Sequence, residues 1–191
     1  GAPPLDVGAL PMSGSQAFLA HTYHVTGGII LAYDCTVCHF EPTDVLSTDH
    51  AFDDTPAVAE VGFTMGLSSA GSYDGAGGCT DLYCHGDGRG DNGSAIDGSG
   101  PMGCDSCHPG MDSESNWDTM SGEHRTHLSE NLTCGNCHFD VTENGRSIRA
   151  PWLHVDGAKQ VRFTDTGITY SPGTGRCSGQ CHGERHESER W

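Results

Sequence analysis

Apolar and polar positions alternate along this chain only in fragments. The most apolar stretch, GGIILAY at 27–33, is far shorter than the roughly 20 residues a bilayer-spanning helix needs. Residues 121–131, SGEHRTHLSEN, carry a weak helical pattern of about two turns. FDVTENGRSIRA at 139–150 sets Asn144-Gly145 between two short apolar runs, the signature of a type I′ hairpin. QVRFTDTGITY at 160–170 reads as a further pair of strands, and Gly-rich loops fill 64–78 and 86–103. The pattern predicts a fold that is mostly irregular coil, with a few short helices and β-hairpins.

Composition sharpens the problem. Hydrophobic residues are 35% of 191, and 28 residues are glycine. Such a chain buries too little apolar side chain to offset its own ordering entropy. Either it stays disordered or something other than side chains fills its interior. The cysteines decide between these alternatives, because they form a fixed pattern.

All ten cysteines fall into five pairs, and each second cysteine is followed directly by histidine. Three pairs are CxxCH: Cys35, Cys38 and His39; Cys104, Cys107 and His108; Cys134, Cys137 and His138. One is CxxxxCH, with Cys79, Cys84 and His85, and one is CxxxCH, with Cys177, Cys181 and His182. Two thiols that add to the vinyl groups of one porphyrin edge, with the next residue an imidazole beneath the iron, account for this order. The His must follow the second Cys, whereas extra residues between the cysteines can bulge outward. Zinc pairs, a disulfide framework and a redox CxxC have no use for five adjacent histidines. Five covalent haem c groups are therefore expected. Their apolar discs supply the core that the side chains do not.

Seven further histidines remain: His21, His24, His50, His124, His127, His154 and His186. They can close every iron as a bis-His site. The methionines, rival ligands that would raise the potential, have no repeated relation to the motifs and read as gap-fillers. An internal repeat orders the histidines. Residues 21–86 run His21-x-x-His24, Cys35 to His39, His50, Val61-x-Phe63, then Cys79 to His85-Gly86. Residues 124–183 run His124-x-x-His127, Cys134 to His138, His154, Val161-x-Phe163, then Cys177 to His182-Gly183. The segment 87–123, with Cys104, Cys107 and His108, is an inserted fifth haem within one domain spanning 1–191. Each HxxH pair sets two imidazoles on one face of a turn, where they can serve two different haems. His50 and His154 read as ligands for the haems of their own repeat, and His186 as a solvated tail residue. One histidine of the N-terminal pair, His21 or His24, is then surplus; it reaches a haem of a neighbouring subunit or goes unused.

The pairing of CxxxxCH at 79–85 with CxxCH at 104–108, and the H-V-D-G…V-x-F…C…CHG run at 154–183, resemble the multihaem c-type cytochromes of metal-reducing bacteria. The resemblance covers most of 21–183. It implies a secreted protein, extracellular or at the cell surface, that carries electrons to outside acceptors or redox partner proteins. Some members of that group polymerise into filaments, the cytochrome nanowires. For those the resemblance implies a stacked haem chain that continues across subunits, with an axial His crossing the interface.

A net charge of −17 argues against nucleic acid as a partner. GAPPLDVG at the start reads as a mature terminus after cleavage of a signal, which also suits a periplasmic location. An electron conduit, a discrete periplasmic shuttle and a multihaem oxidoreductase remain as functions. The chain is not expected to be an enzyme, because no catalytic constellation accompanies the motifs. Asp87, Asp91, Asn92 and Asp97 offer oxygen ligands for Ca²⁺, but without the EF-hand pattern, and a solvated loop is the simpler reading. Asn92-Gly-Ser94 and Asn131-Leu-Thr133 are glycosylation sequons.

Overall fold

The structure is a computed structural model that describes residues 21–40, 44, 46, 60–96, 99, 100 and 102–190. Most of the backbone is irregular, with a few short helices and two small antiparallel sheets of three strands each. The chain divides into two compact units between Cys107 and His108. Each unit holds one copy of the repeat. Among the described residues no helix is long and apolar enough to cross a membrane.

The first unit opens with helix α1 (His21–Thr26). It ends where Gly27 and Gly28 take positive φ, which glycine adopts without steric penalty. A 3₁₀ turn follows at Cys35–Val37, capped by Asp34, whose carboxylate accepts from the Thr36 N–H at 3.0 Å. The sheet comprises β1 (Ser72–Tyr73), β2 (Gly78–Leu82) and β3 (Gly93–Ile96), in that order. Both Gly-rich segments expected to be loops therefore contribute a strand.

The second unit carries a 3₁₀ segment at Glu114–Thr119, helix α2 (His124–Ser129) and the one-turn helix α3 (Cys134–Cys137). Its sheet is β4 (Ile168–Ser171), β5 (Arg176–Cys181) and β6 (Glu184–Arg190). The expected helix at 121–131 is α2. The expected strand pair at 160–170 is not formed. Residues 168–171 pair with β5 instead, and Arg162 makes an isolated bridge to His138.

The Asn144-Gly145 hairpin shrinks to one bridge, Thr142 to Ile148. Only Gly145 has positive φ there, whereas a type I′ turn requires it at both central residues. The loop is instead shaped by α3. A capping box between Thr133 and Asn136 starts that helix, and the loop folds over it. A Cβ on Gly135 would lie 2.0 Å from the Glu143 carbonyl oxygen, and one on Gly145 would lie 2.8 Å from the Cys134 Sγ. Gly135→Ala should therefore destabilise the unit by about 1–3 kcal/mol, since backbone meets side chain with no room to yield. Thermal unfolding would read this as a drop of at least several degrees. An unchanged Tm would mean that the loop is not packed on the helix.

The repeat recurs in the hydrogen bonding. Gly62 N–H donates to the Cys38 carbonyl at 3.0 Å, and Arg162 N–H donates to the Cys137 carbonyl at 2.9 Å. Tyr73 faces Cys79 across its sheet as Tyr170 faces Cys177.

The protein core is thin. Buried apolar residues among those described are Phe63 and Leu82 in the first unit, and Trp117, Leu128, Ala150, Ile168 and Cys177 in the second. Tyr23, Ile29, Phe40 and Trp152 are each 49–64% exposed. So many uncovered large apolar groups beside so small an interior is the pattern expected of a chain shaped around something it must wrap.

Candidate haem-ligand pairs

The motifs are built in two ways. In the first and fourth, one tight turn suffices. His39 N–H donates to the Cys35 carbonyl at 2.9 Å, and His138 N–H donates to the Cys134 carbonyl at 2.8 Å. Two thiols and an imidazole thus sit around a single turn. The third motif is a turn without helix at 104–107. The two long-gap motifs are largely extended. Cys79 lies in β2, and Cys177 and Cys181 lie in β5. Their extra residues need extended backbone. The ladder shifts register between Cys79 and Leu82, where exposed Asp81 takes a φ of 56°. The expected outward bulge is therefore present at 80–81.

Each motif histidine faces a second histidine. Ring centres are 6.0 Å apart for His39 and His21, 5.8 Å for His85 and His24, and 6.4 Å for His108 and His154. They are 6.2 Å apart for His138 and His124 and 5.3 Å for His182 and His127. An imidazole nitrogen sits about 2 Å from a transition-metal ion, so two rings that share one iron from opposite sides have centres about 6 Å apart. Four pairs stand near that spacing and the fifth is slightly closed.

The other ring nitrogen is tied back. Nδ1 of His39 donates to the Glu60 carbonyl at 3.2 Å, and that of His108 to the Pro109 carbonyl at 3.2 Å. Nδ1 of His127 donates to the Glu123 carbonyl at 2.8 Å. His138 and His124 bond the carbonyls of Gln160 and Ser121 in the same way. A carbonyl only accepts, so Nδ1 carries the hydrogen and the neutral ring keeps its lone pair on Nε2. This is how metal-ligating histidines are oriented. Burial also pushes the His85 and His124 imidazoles down, favouring the neutral, ligating form.

None of the ten cysteines is in a disulfide. Burial, then the nearby Cys84, pushes the Cys38 thiol up to about 11, and burial, then Cys181, pushes Cys137 up to about 12. Reactive cysteines have lowered values instead. In the second unit a small cleft is lined by Cys177, Cys181, His127 and His186, with Leu132 and Phe163 among its apolar walls. Two thiols, two imidazoles and apolar walls are the donor set that a covalently attached porphyrin requires. The residues present thus fit haem c.

The structure departs from the sequence reading at three points. His154 faces His108 of the inserted segment and not a motif of its own repeat; His124 and His127 already face both of those. His21 and His24 each face a motif of their own unit, so the surplus does not fall on the N-terminal pair. His186 is not a solvated tail residue: its side chain is 12% exposed, and it sits in β6 within a three-histidine group with His127 and His182. Sequence reasoning missed it because it has no counterpart in the first copy. His50 lies outside the described residues. In the suggested calcium loop, Asn92 Oδ1 accepts from the Asp87 N–H and Asp87 Oδ1 accepts from the Arg89 N–H. These oxygens serve their own turn, and Asp97 lies outside the described residues.

No protein family, curated protein or solved structure matches the chain.

Proposed function

We propose that this protein transfers electrons through five covalently attached bis-His c-type haems, stacked closely enough to take the place of a conventional core. The observation that carries the reading is the five-fold pairing of motif and distal histidines at ring-centre distances of 5.3–6.4 Å. Every iron would have both axial positions filled by this chain. A sealed iron neither binds nor activates a substrate, so the chemistry left to it is one-electron exchange. The protein supplies ligands, their orientation and apolar cover.

The thiols of two motifs act on one another electrostatically in each unit, Cys84 on Cys38 and Cys181 on Cys137, which supports a short path. Such a conduit suits a secreted protein that delivers electrons outside the cell, and we extend the reading to end-to-end assembly into a filament. With five sixth positions filled from within, assembly would rest on ring-to-ring approach and would not need a donated histidine.

A pyridine haemochrome assay with intact-mass analysis tests the reading, with five haems per chain and no carbon monoxide binding expected. Fewer than five would sink the motif assignment, and strong carbon monoxide binding would point to an open, reactive iron. Negative-stain microscopy tests assembly; discrete particles at every concentration would leave a soluble periplasmic shuttle in its place.

A further inference from the structure

His186 lies outside the repeat, and nothing in the pairing of motif and distal histidines requires it. Its surroundings nevertheless match those of a ligand. Its Nδ1 donates to the Glu189 carboxylate at 2.9 Å, the carboxylate–imidazole arrangement that orients metal-bound histidines. That bond turns its Nε2 toward the Nε2 of His182, 3.3 Å away, with ring centres 5.3 Å apart. The centre separation is nearly what two imidazoles pointing head-on across such a gap would give. Opening the gap by about 0.7 Å would admit an iron between them at the usual distance. His127 converges on the same point; one ligand atom from each of the three rings lies within 4.8 Å of the others. Both His127 and His186 line the cleft that holds Cys177 and Cys181.

We infer that His186 is a second distal ligand for the iron of the last motif, taking the position opposite His182 when His127 leaves it. The inference rests on the haem reading above. The exchange breaks the bond from His127 Nε2 and forms one from His186 Nε2; no electron or proton changes hands. His127 sits on α2, a six-residue helix, whereas His186 lies in the ladder of β5 and β6, where it pairs with Gly179. The last site would thus stay sealed through motions of α2 that would otherwise expose its metal.

The test uses the intact holoprotein and three variants: His127→Ala, His186→Ala and the double variant. Haem content is counted by pyridine haemochrome. Spin state and carbon monoxide binding are read by absorption and electron paramagnetic resonance. Expected are five low-spin haems and no carbon monoxide binding in either single variant, and one high-spin, carbon monoxide-binding haem in five in the double variant. If His127→Ala alone opens one haem in five, or the double variant opens none, the inference is overturned. Should His127→Ala fail to accumulate, His127→Asn, which keeps a polar side chain on α2, is read by the same criteria. A count below five in the unsubstituted protein would instead strike the haem reading itself, so the two failures are distinguishable.

Discussion

Replacing Cys134 and Cys137 together by serine should remove one haem in five and unfold much of the second unit. These thiols sit on α3, under the loop that carries Glu143 and Gly145. Serine keeps the turn and its capping box but cannot form thioether bonds, so the change isolates the cofactor from the local fold. The second unit buries only five apolar residues among those described, so loss of one large apolar disc removes a major part of its interior. The cost should be at least that of deleting a large buried aromatic, about 3–5 kcal/mol. Haem content from the pyridine assay should fall by one-fifth, and the thermal transition should move down and broaden. An undiminished haem count would refute thioether attachment at this motif.

His124→Ala should have the next largest effect, of a different kind. His124 and His138 lie with ring planes 6° apart and centres 6.2 Å apart. The three-histidine group at the last motif includes neither His124 nor His138. Removal should therefore keep five haems and leave one high-spin and open to carbon monoxide, with a raised potential because a strong nitrogen donor is lost. The contrast with His127, three residues on, makes the result informative. Both histidines lie on α2, so general damage to the helix would affect both variants alike, whereas the loss of a ligand without a substitute would affect only His124→Ala. Five low-spin haems in this variant would mean that His124 is not a ligand.

Much of this arrangement was legible in the sequence, for local reasons. A histidine next to its cysteine can serve only the iron of that motif, and an HxxH spacing within one turn limits where two imidazoles can point. Both HxxH pairs accordingly face two separate motifs each. What was not legible depends on contacts distant in sequence. The strand character of Cys79 and Cys177 comes from pairing with Tyr73 and Tyr170, and the first of these sits in a segment whose glycines suggest a loop. The role of His154 turns on which motif histidines α2 already faces, a matter of elimination that spacing alone does not supply. His186 stayed hidden because its significance arises only when β6 folds back on β5 and brings it to His182. The Asn-Gly hairpin misled because its residues conform to α3 and not to an ideal turn.

Five of the paired rings lean on peptide carbonyls: those of Glu60, Pro109, Ser121, Glu123 and Gln160. Any amino acid at those positions brings the same oxygen. Side chains there can drift over generations without turning an imidazole, and loops can lengthen provided that the oxygen returns to its station. Kinship among such proteins would then fade from the letters long before it faded from the wiring, and the order of Cys–His units would be a better guide to ancestry than percent identity.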